Sequence, residues 1–208
     1  MLFQTLLVFL KFPLLGLVED TSLAEVKRAF GAANIPETIH LPFQPQVLLK
    51  VTFPVVGAKP VTLHAGIQLP RKVTAGPPFY NVIGSQSKGP FVVAAVDPDV
   101  PTPQDPSVAQ IPHFLGGNFF LKSLKAPTFL SNNTPAITEF RQPRPHAGSD
   151  PHRYIFLLFN QSKGFDNQTL VNSTSSLALF NISAFASTVG LGQPIGGTFM
   201  LVGPEPST

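Results

Sequence analysis

Phe91-Val92-Val93-Ala94-Ala95-Val96-Asp97-Pro98-Asp99-Val100-Pro101 is the stretch on which the fold turns. Six apolar residues run without polar alternation, as in a strand covered on both faces. Two aspartates and two prolines follow at once. Each proline fixes its own φ and pushes the residue before it towards extended backbone. The strand therefore ends in a rigid turn that holds carboxylates at the rim of a sheet. Val100–Pro101 is a candidate cis peptide. Two readings of the turn stand side by side: an Asx-type turn serving only local N–H groups, or one wall of a pocket.

Outward from this stretch, the chain reads as short strands separated by turns. Strand-like runs are expected at Val47–Phe53, Val61–Leu69, Phe79–Ile83, Phe91–Val96, Phe114–Leu121, Tyr154–Phe159, Leu177–Phe180 and Thr198–Val202, with Pro, Gly, Asn and Asp between them. One early helix is announced by Ser22 and Glu25, a capping-box spacing, and by the apolar stripe Leu23, Val26, Phe30. Pro36 is expected to stop it. A second short helix is expected over Ser183–Val189, closed by Gly190 and Gly192 ahead of Pro194. Leu124–Gln142 reads as an excursion from the core.

The composition agrees with a β-rich chain: 23 prolines and 16 glycines in 208 residues favour turns over long helices. Charged residues are only 12%, about half the usual share for soluble domains. The 14 basic residues are scattered and the formal net charge is only +3, so no nucleic-acid partner is expected. With no cysteine, disulfides, thiol catalysis and cysteine-bound zinc are excluded.

Residues 1–18, MLFQTLLVFLKFPLLGLV, are apolar but broken by Lys11 and Pro13. The run is too interrupted for a membrane span and reads as a signal peptide or an apolar N-terminal segment, followed by one domain over 19–208. Five Asn-X-Ser/Thr sequons, at Asn132, Asn160, Asn167, Asn172 and Asn181, fall in the last 77 residues. With the apolar start they point to a secreted, extracellular glycoprotein. Asn160 directly follows an apolar strand and is the weakest acceptor of the five.

Polar chemistry is concentrated at three places: Asp97-Pro98-Asp99-Val100-Pro101, His113, and Pro151-His152-Arg153-Tyr154. Alternate residues of a strand share a face. His152 and Tyr154 thus look one way, and Arg153 is free to pair elsewhere, with Asp99 as the candidate. Histidine and tyrosine can donate to phosphate oxygens, and an aspartate can accept from an ammonium group. The same Asp and His residues invite a hydrolase or metal reading. No Gly-x-Ser-x-Gly elbow, cysteine nucleophile or His-Glu-x-x-His accompanies them, so neither an enzyme nor a metal or other cofactor is expected. A structural secreted glycoprotein with a vestigial pocket is a further alternative.

The Asp-Pro-Asp-Val-Pro turn, His113, and Pro143-Arg144-Pro145-His146-Ala147-Gly148-Ser149-Asp150-Pro151-His152-Arg153-Tyr154 together resemble the two signature regions of the phosphatidylethanolamine-binding protein family. The resemblance runs over about residues 22–202 and includes Leu191-Gly192-Gln193-Pro194. It implies a predominantly β, antiparallel two-sheet fold with a few short peripheral helices. It implies a pocket for phosphate-like anions or a phosphatidylethanolamine head group, at Asp97, Asp99, Pro101, His113, Pro145, His146, His152 and Tyr154. Within that set, Asp97 is expected to face the ligand and Asp99 to hold the wall. His146 stands where such proteins commonly carry a proline, which adds a titratable group and a pH-dependent anion affinity. The sequence runs only to Thr208, and a more open pocket rim is expected there. Non-enzymatic binding is the leading function, with inhibition of a serine peptidase of carboxypeptidase type as a possible outlet.

Overall fold

The computed structural model describes residues 19–125 and 129–205. The expected leader, residues 1–18, lies outside them. Among the described residues, eight strands form two sheets. They are β1 (Leu48–Phe53), β2 (Val61–Thr62), β3 (Ile67–Gln68), β4 (Phe79–Ile83), β5 (Phe91–Asp97), β6 (Ile111–Phe119), β7 (His152–Asn160) and β8 (Gly196–Val202). The smaller sheet has the order β2-β1-β4 and the larger β3-β8-β7-β5-β6. All pairs are antiparallel, as expected, except β3 with β8, a short parallel pair at one edge.

Strand β5 is buried along its whole length, as its unbroken apolar run requires. Phe91, Val93 and Ala95 face the smaller sheet with Tyr154, Phe156 and Leu158 of β7. Val92, Ala94 and Val96 face the opposite way, against a helical layer. That layer contains α1 (Leu23–Ala32), α2 (Ile35–Thr38), α3 (Lys163–Asp166) and α4 (Ile182–Val189). Ser22 caps α1 through the Glu25 N–H, as its spacing announced, and Asn181 caps α4 through the Ala184 N–H. Phe30 of α1 stacks on Phe43 and meets Phe199 edge-on. The close approach needs Gly197: a Cβ there would lie 2.8 Å from the Phe156 carbonyl oxygen and 3.1 Å from the Phe30 ring.

Four local expectations are corrected. Val61–Leu69 is not one strand. The chain turns at His64–Gly66, where Gly66 has φ +92°, and its two halves join different sheets. Leu177–Phe180 forms no strand: Phe180 only exchanges main-chain hydrogen bonds with Gln110, and Leu179 has φ +62°. Pro36 does not end a helix. Asn34, at φ 52°, breaks α1, and Pro36 lies in the first turn of α2, where its missing N–H costs nothing. Leu124–Gln142 is no simple excursion either, because Leu130 is buried and single-residue bridges tie Ser131 to Phe120 and Thr138 to Leu115.

Candidate functional site

The polar cluster sits at one end of the larger sheet, where β5 ends and β6 and β7 begin. Asp97 is the last residue of β5, and its side chain faces the same way as Tyr154 and His152 of β7. His113 reaches them through a bulge. Val96 pairs with Pro112 but Ala95 pairs with Phe114, which leaves His113 as the extra residue of β6. A bulge re-aims a side chain that strict alternation would send to the other face. His113 accordingly stands edge-on to the Tyr154 ring at 4.9 Å.

Asp97 is the hub. Its Oδ1 accepts the Asp99 N–H at 2.8 Å, which is the Asx turn of the first reading. Its Oδ2 lies 2.9 Å from His152 Nδ1 and 4.0 Å from His113 Nε2. The Asx turn thus uses one carboxylate oxygen and leaves the other to face the histidines. Asp97 and His152 are each 1% exposed. Asp97 thus lies buried beside His152, with both its oxygens engaged by neighbouring groups.

Asp99 is held by Arg153, as anticipated. Arg153 Nη2 donates to Asp99 Oδ1 at 2.6 Å, while Nε (2.9 Å) and the backbone N–H (2.8 Å) donate to Oδ2. Arg153 Nη1 also reaches the Ala33 carbonyl and the Thr38 hydroxyl, tying the Asp turn to the junction of α1 and α2. Val100–Pro101 is cis and Pro101 is half-buried.

The segment from Thr138 to Pro151 runs alongside. His113 is fastened to it twice: its carbonyl accepts the Arg141 N–H, and its Nδ1 lies 2.8 Å from the Arg141 carbonyl. A carbonyl only accepts, so His113 Nδ1 carries the proton and Nε2 of the neutral ring does not. Burial pushes the His113 pKa down from 6.5, opposed by the Arg141 carbonyl bond and by the Asp97 charge. His113 is neutral at pH 7, with an Nε2 that makes no hydrogen bond among the described residues. Burial first, then the Asp97 charge and a hydrogen bond to Asp97, raise the Tyr154 pKa and keep the phenol protonated. The Arg144 backbone also lies against that phenol. Pro145 is buried. His146 is exposed, and its carbonyl rather than its ring joins the cluster by accepting the Ser149 N–H. Gln104 bridges to Asp150 at 2.6 Å and links the two loops.

The sequence reading missed Arg141 and Ser149. Arg141 could not be found from motif spacing, because its carbonyl meets His113 only through tertiary folding. Ser149 Oγ lies 3.0 Å from His152 Nε2, and its position three residues ahead of that histidine is the one local signal. Among the described residues, no group of three His, Asp or Glu side chains is placed to hold a metal ion, and no helix is long and apolar enough to cross a membrane.

Two packed sheets, with an Asp–His–His–Tyr cluster at the end of the larger one, define a two-sheet β protein with a polar site set among prolines. The model of the phosphatidylethanolamine-binding protein family matches residues 61–200. The chain is 32% identical to CEN-like protein 4 of Nicotiana tabacum over 158 residues, 76% of this chain and 81% of that one. It is 29% identical to Protein FLOWERING LOCUS T of Arabidopsis thaliana over the same shares. The chain belongs to the phosphatidylethanolamine-binding protein family. The fold recurs in the carboxypeptidase Y inhibitor solved with its cognate proteinase: TM-score 0.74, 22% identity, 88% of this chain and 97% of that one. It recurs in the phosphatidylethanolamine-binding protein of Plasmodium vivax, with TM-score 0.67 and 15% identity over 86% and 98% of the two chains.

Proposed function

We propose that the cluster at His113, His152 and Tyr154 binds small phosphoryl anions, as free phosphate or as a phospholipid head group such as phosphorylethanolamine. The observation that carries this reading is His113. Its ring is fixed by the Arg141 carbonyl, its Nε2 is unengaged, and it is 9% exposed, just within reach of solvent. An anion that meets Nε2 draws a proton onto it and gains a charged donor. The Arg141 charge acts on the same ring. Asp97 serves by orienting His152 and Tyr154. Asp99 and Pro101 shape the wall, Pro145 packs behind it, and His146 stands at the exposed turn.

Equilibrium titration with phosphate and with phosphorylethanolamine tests this. Wild-type protein binds one equivalent, and His113→Ala and Tyr154→Phe, at unchanged melting temperature, lose at least tenfold in affinity. Equal affinity in all three proteins sinks the proposal.

A second reading is regulation of a serine peptidase, supported by the likeness to the carboxypeptidase Y inhibitor. Inhibition of a serine carboxypeptidase by the purified protein tests it, and undiminished peptidase activity at excess protein rejects it.

Secretion and glycosylation complete the proposal. All five sequon asparagines are exposed. At Asn181 the cap uses Oδ1, so a sugar on Nδ2 leaves the α4 cap intact. Glycan mapping of protein from a secreting eukaryotic host tests this, and bare asparagines at every sequon reject it.

A further inference from the structure

Ser149, His152 and Asp97 form a continuous relay. Ser149 Oγ lies 3.0 Å from His152 Nε2, and His152 Nδ1 lies 2.9 Å from Asp97 Oδ2. A carboxylate only accepts, so Nδ1 carries a proton, and it is the neutral tautomer that presents an Nε2 lone pair to the serine hydroxyl. This is the nucleophile–base–orienter arrangement of acyl-transfer enzymes, recognised by geometry rather than by residue order. The environment suits it. Asp97 and His152 are each 1% exposed, whereas Ser149 is half-buried. Ser149 follows Gly148, at φ +81°, in a turn closed by its own N–H on the His146 carbonyl. The hydroxyl hydrogen has two acceptors, His152 Nε2 and the Asp150 carbonyl at 2.8 Å. Rotation towards Nε2 gives the reactive form. The Tyr154 ring stacks at 6.3 Å from His152, and His113 stands nearby across the cluster.

We infer that Ser149 is an activated nucleophile for carboxylic esters, with His152 as its base and Asp97 as the positioning residue. Ser149 Oγ attacks the ester carbonyl carbon and its proton passes to His152 Nε2. The Oγ–C bond forms, the C–O bond to the alcohol breaks, and the leaving oxygen departs with its electron pair and takes the proton from His152. Water then attacks the acyl carbon. His152 takes the water proton, the Oγ–C bond breaks, and Ser149 regains its hydrogen as the acid leaves. Covalent chemistry at Ser149 goes beyond the binding role proposed above, and neither depends on the other.

The test is labelling of folded protein with a fluorophosphonate, which loses fluoride to an activated serine, and with p-nitrophenyl acetate, followed by peptide mapping. Wild-type protein is expected to carry one adduct, on Ser149, with a burst of one p-nitrophenolate per chain. Ser149→Ala loses both while melting as the wild type does. His152→Gln slows labelling by about 10²–10⁴-fold, the usual share of a general base. For Asp97, the conservative Asp97→Glu keeps labelling that Asp97→Asn loses at equal melting temperature, a split that a merely structural carboxylate has no reason to show. Absence of any adduct on Ser149 in the folded wild type, or labelling of Ser149→Ala at the wild-type rate, overturns the inference whatever the His152 and Asp97 variants do. Phosphate titration of the same samples shows separately whether the binding reading stands.

Discussion

Truncating Arg153 to alanine tests how the site is held to the fold. Asp99 has a side chain only 2% exposed, and Arg153 is its sole charged partner among the described residues. The pair is bidentate, at 2.6 Å and 2.9 Å, and the Arg153 backbone N–H supplies a third bond. Removing the guanidinium leaves a buried carboxylate with one backbone donor, and breaking such a pair costs about 3–5 kcal/mol. Lost contacts to the Ala33 carbonyl and the Thr38 hydroxyl act in the same direction. For a chain of this size that corresponds to a melting temperature lower by about 6–20 °C. Urea unfolding at pH 7 measures it. Adding Asp99→Asn to Arg153→Ala is expected to recover a large part of the loss. The carboxamide oxygen still accepts the backbone N–H at position 153, and no charge is left stranded. A cost below about 1 kcal/mol for Arg153→Ala, the range of an exposed ion pair, refutes the reasoning.

Three further outcomes follow from single side chains. His113 is depressed below 6.5 by burial, so the unfolded chain takes up its proton first. Its contribution to stability is full above pH 6.5 and is lost as pH falls through the lowered folded value, by at most about 1.4 kcal/mol per pH unit. Urea midpoints between pH 5 and pH 8 show this slope, and His113→Gln flattens it. The Tyr80 hydroxyl is buried with no hydrogen-bond partner among the described residues, so Tyr80→Phe is expected to raise stability by about 1 kcal/mol in thermal unfolding. Gly197→Ala drives a Cβ against the Phe156 carbonyl and the Phe30 ring, and is expected to lower stability by about 1–3 kcal/mol in the same assay.

The two central strands were legible because burial on both faces leaves no room for polar residues: Phe91–Val96 and Ile155–Phe159 announce β5 and β7 without help from neighbours. The Arg153–Asp99 pair was legible too, since alternation from His152 sends Arg153 to the other face. His113 was harder. It reaches the cluster through a bulge at Pro112–His113, and a bulge is set by how two strands meet rather than by either strand alone. The break of Val61–Leu69 into β2 and β3 depends likewise on Gly66 at positive φ and on the parallel edge offered by β8. The depth of Asp97 was not legible, because the turn motif fits a carboxylate facing outward as well as one bonded inward. Ser149 escaped because its partners stand on β5 and β7, and no sequence elbow marks it.

Calorimetric titration of sulfate into the protein at pH 6 and pH 8, in buffers of different ionisation heat, tests the central claim most directly. Sulfate keeps its charge across this range, so any proton exchanged belongs to the protein. An anion held at His113 Nε2 takes up close to one proton on binding at pH 8. Its affinity falls by up to tenfold per pH unit above the His113 titration. His113→Ala abolishes both effects. Sulfate binding with no proton uptake, or no binding at either pH, contradicts the account.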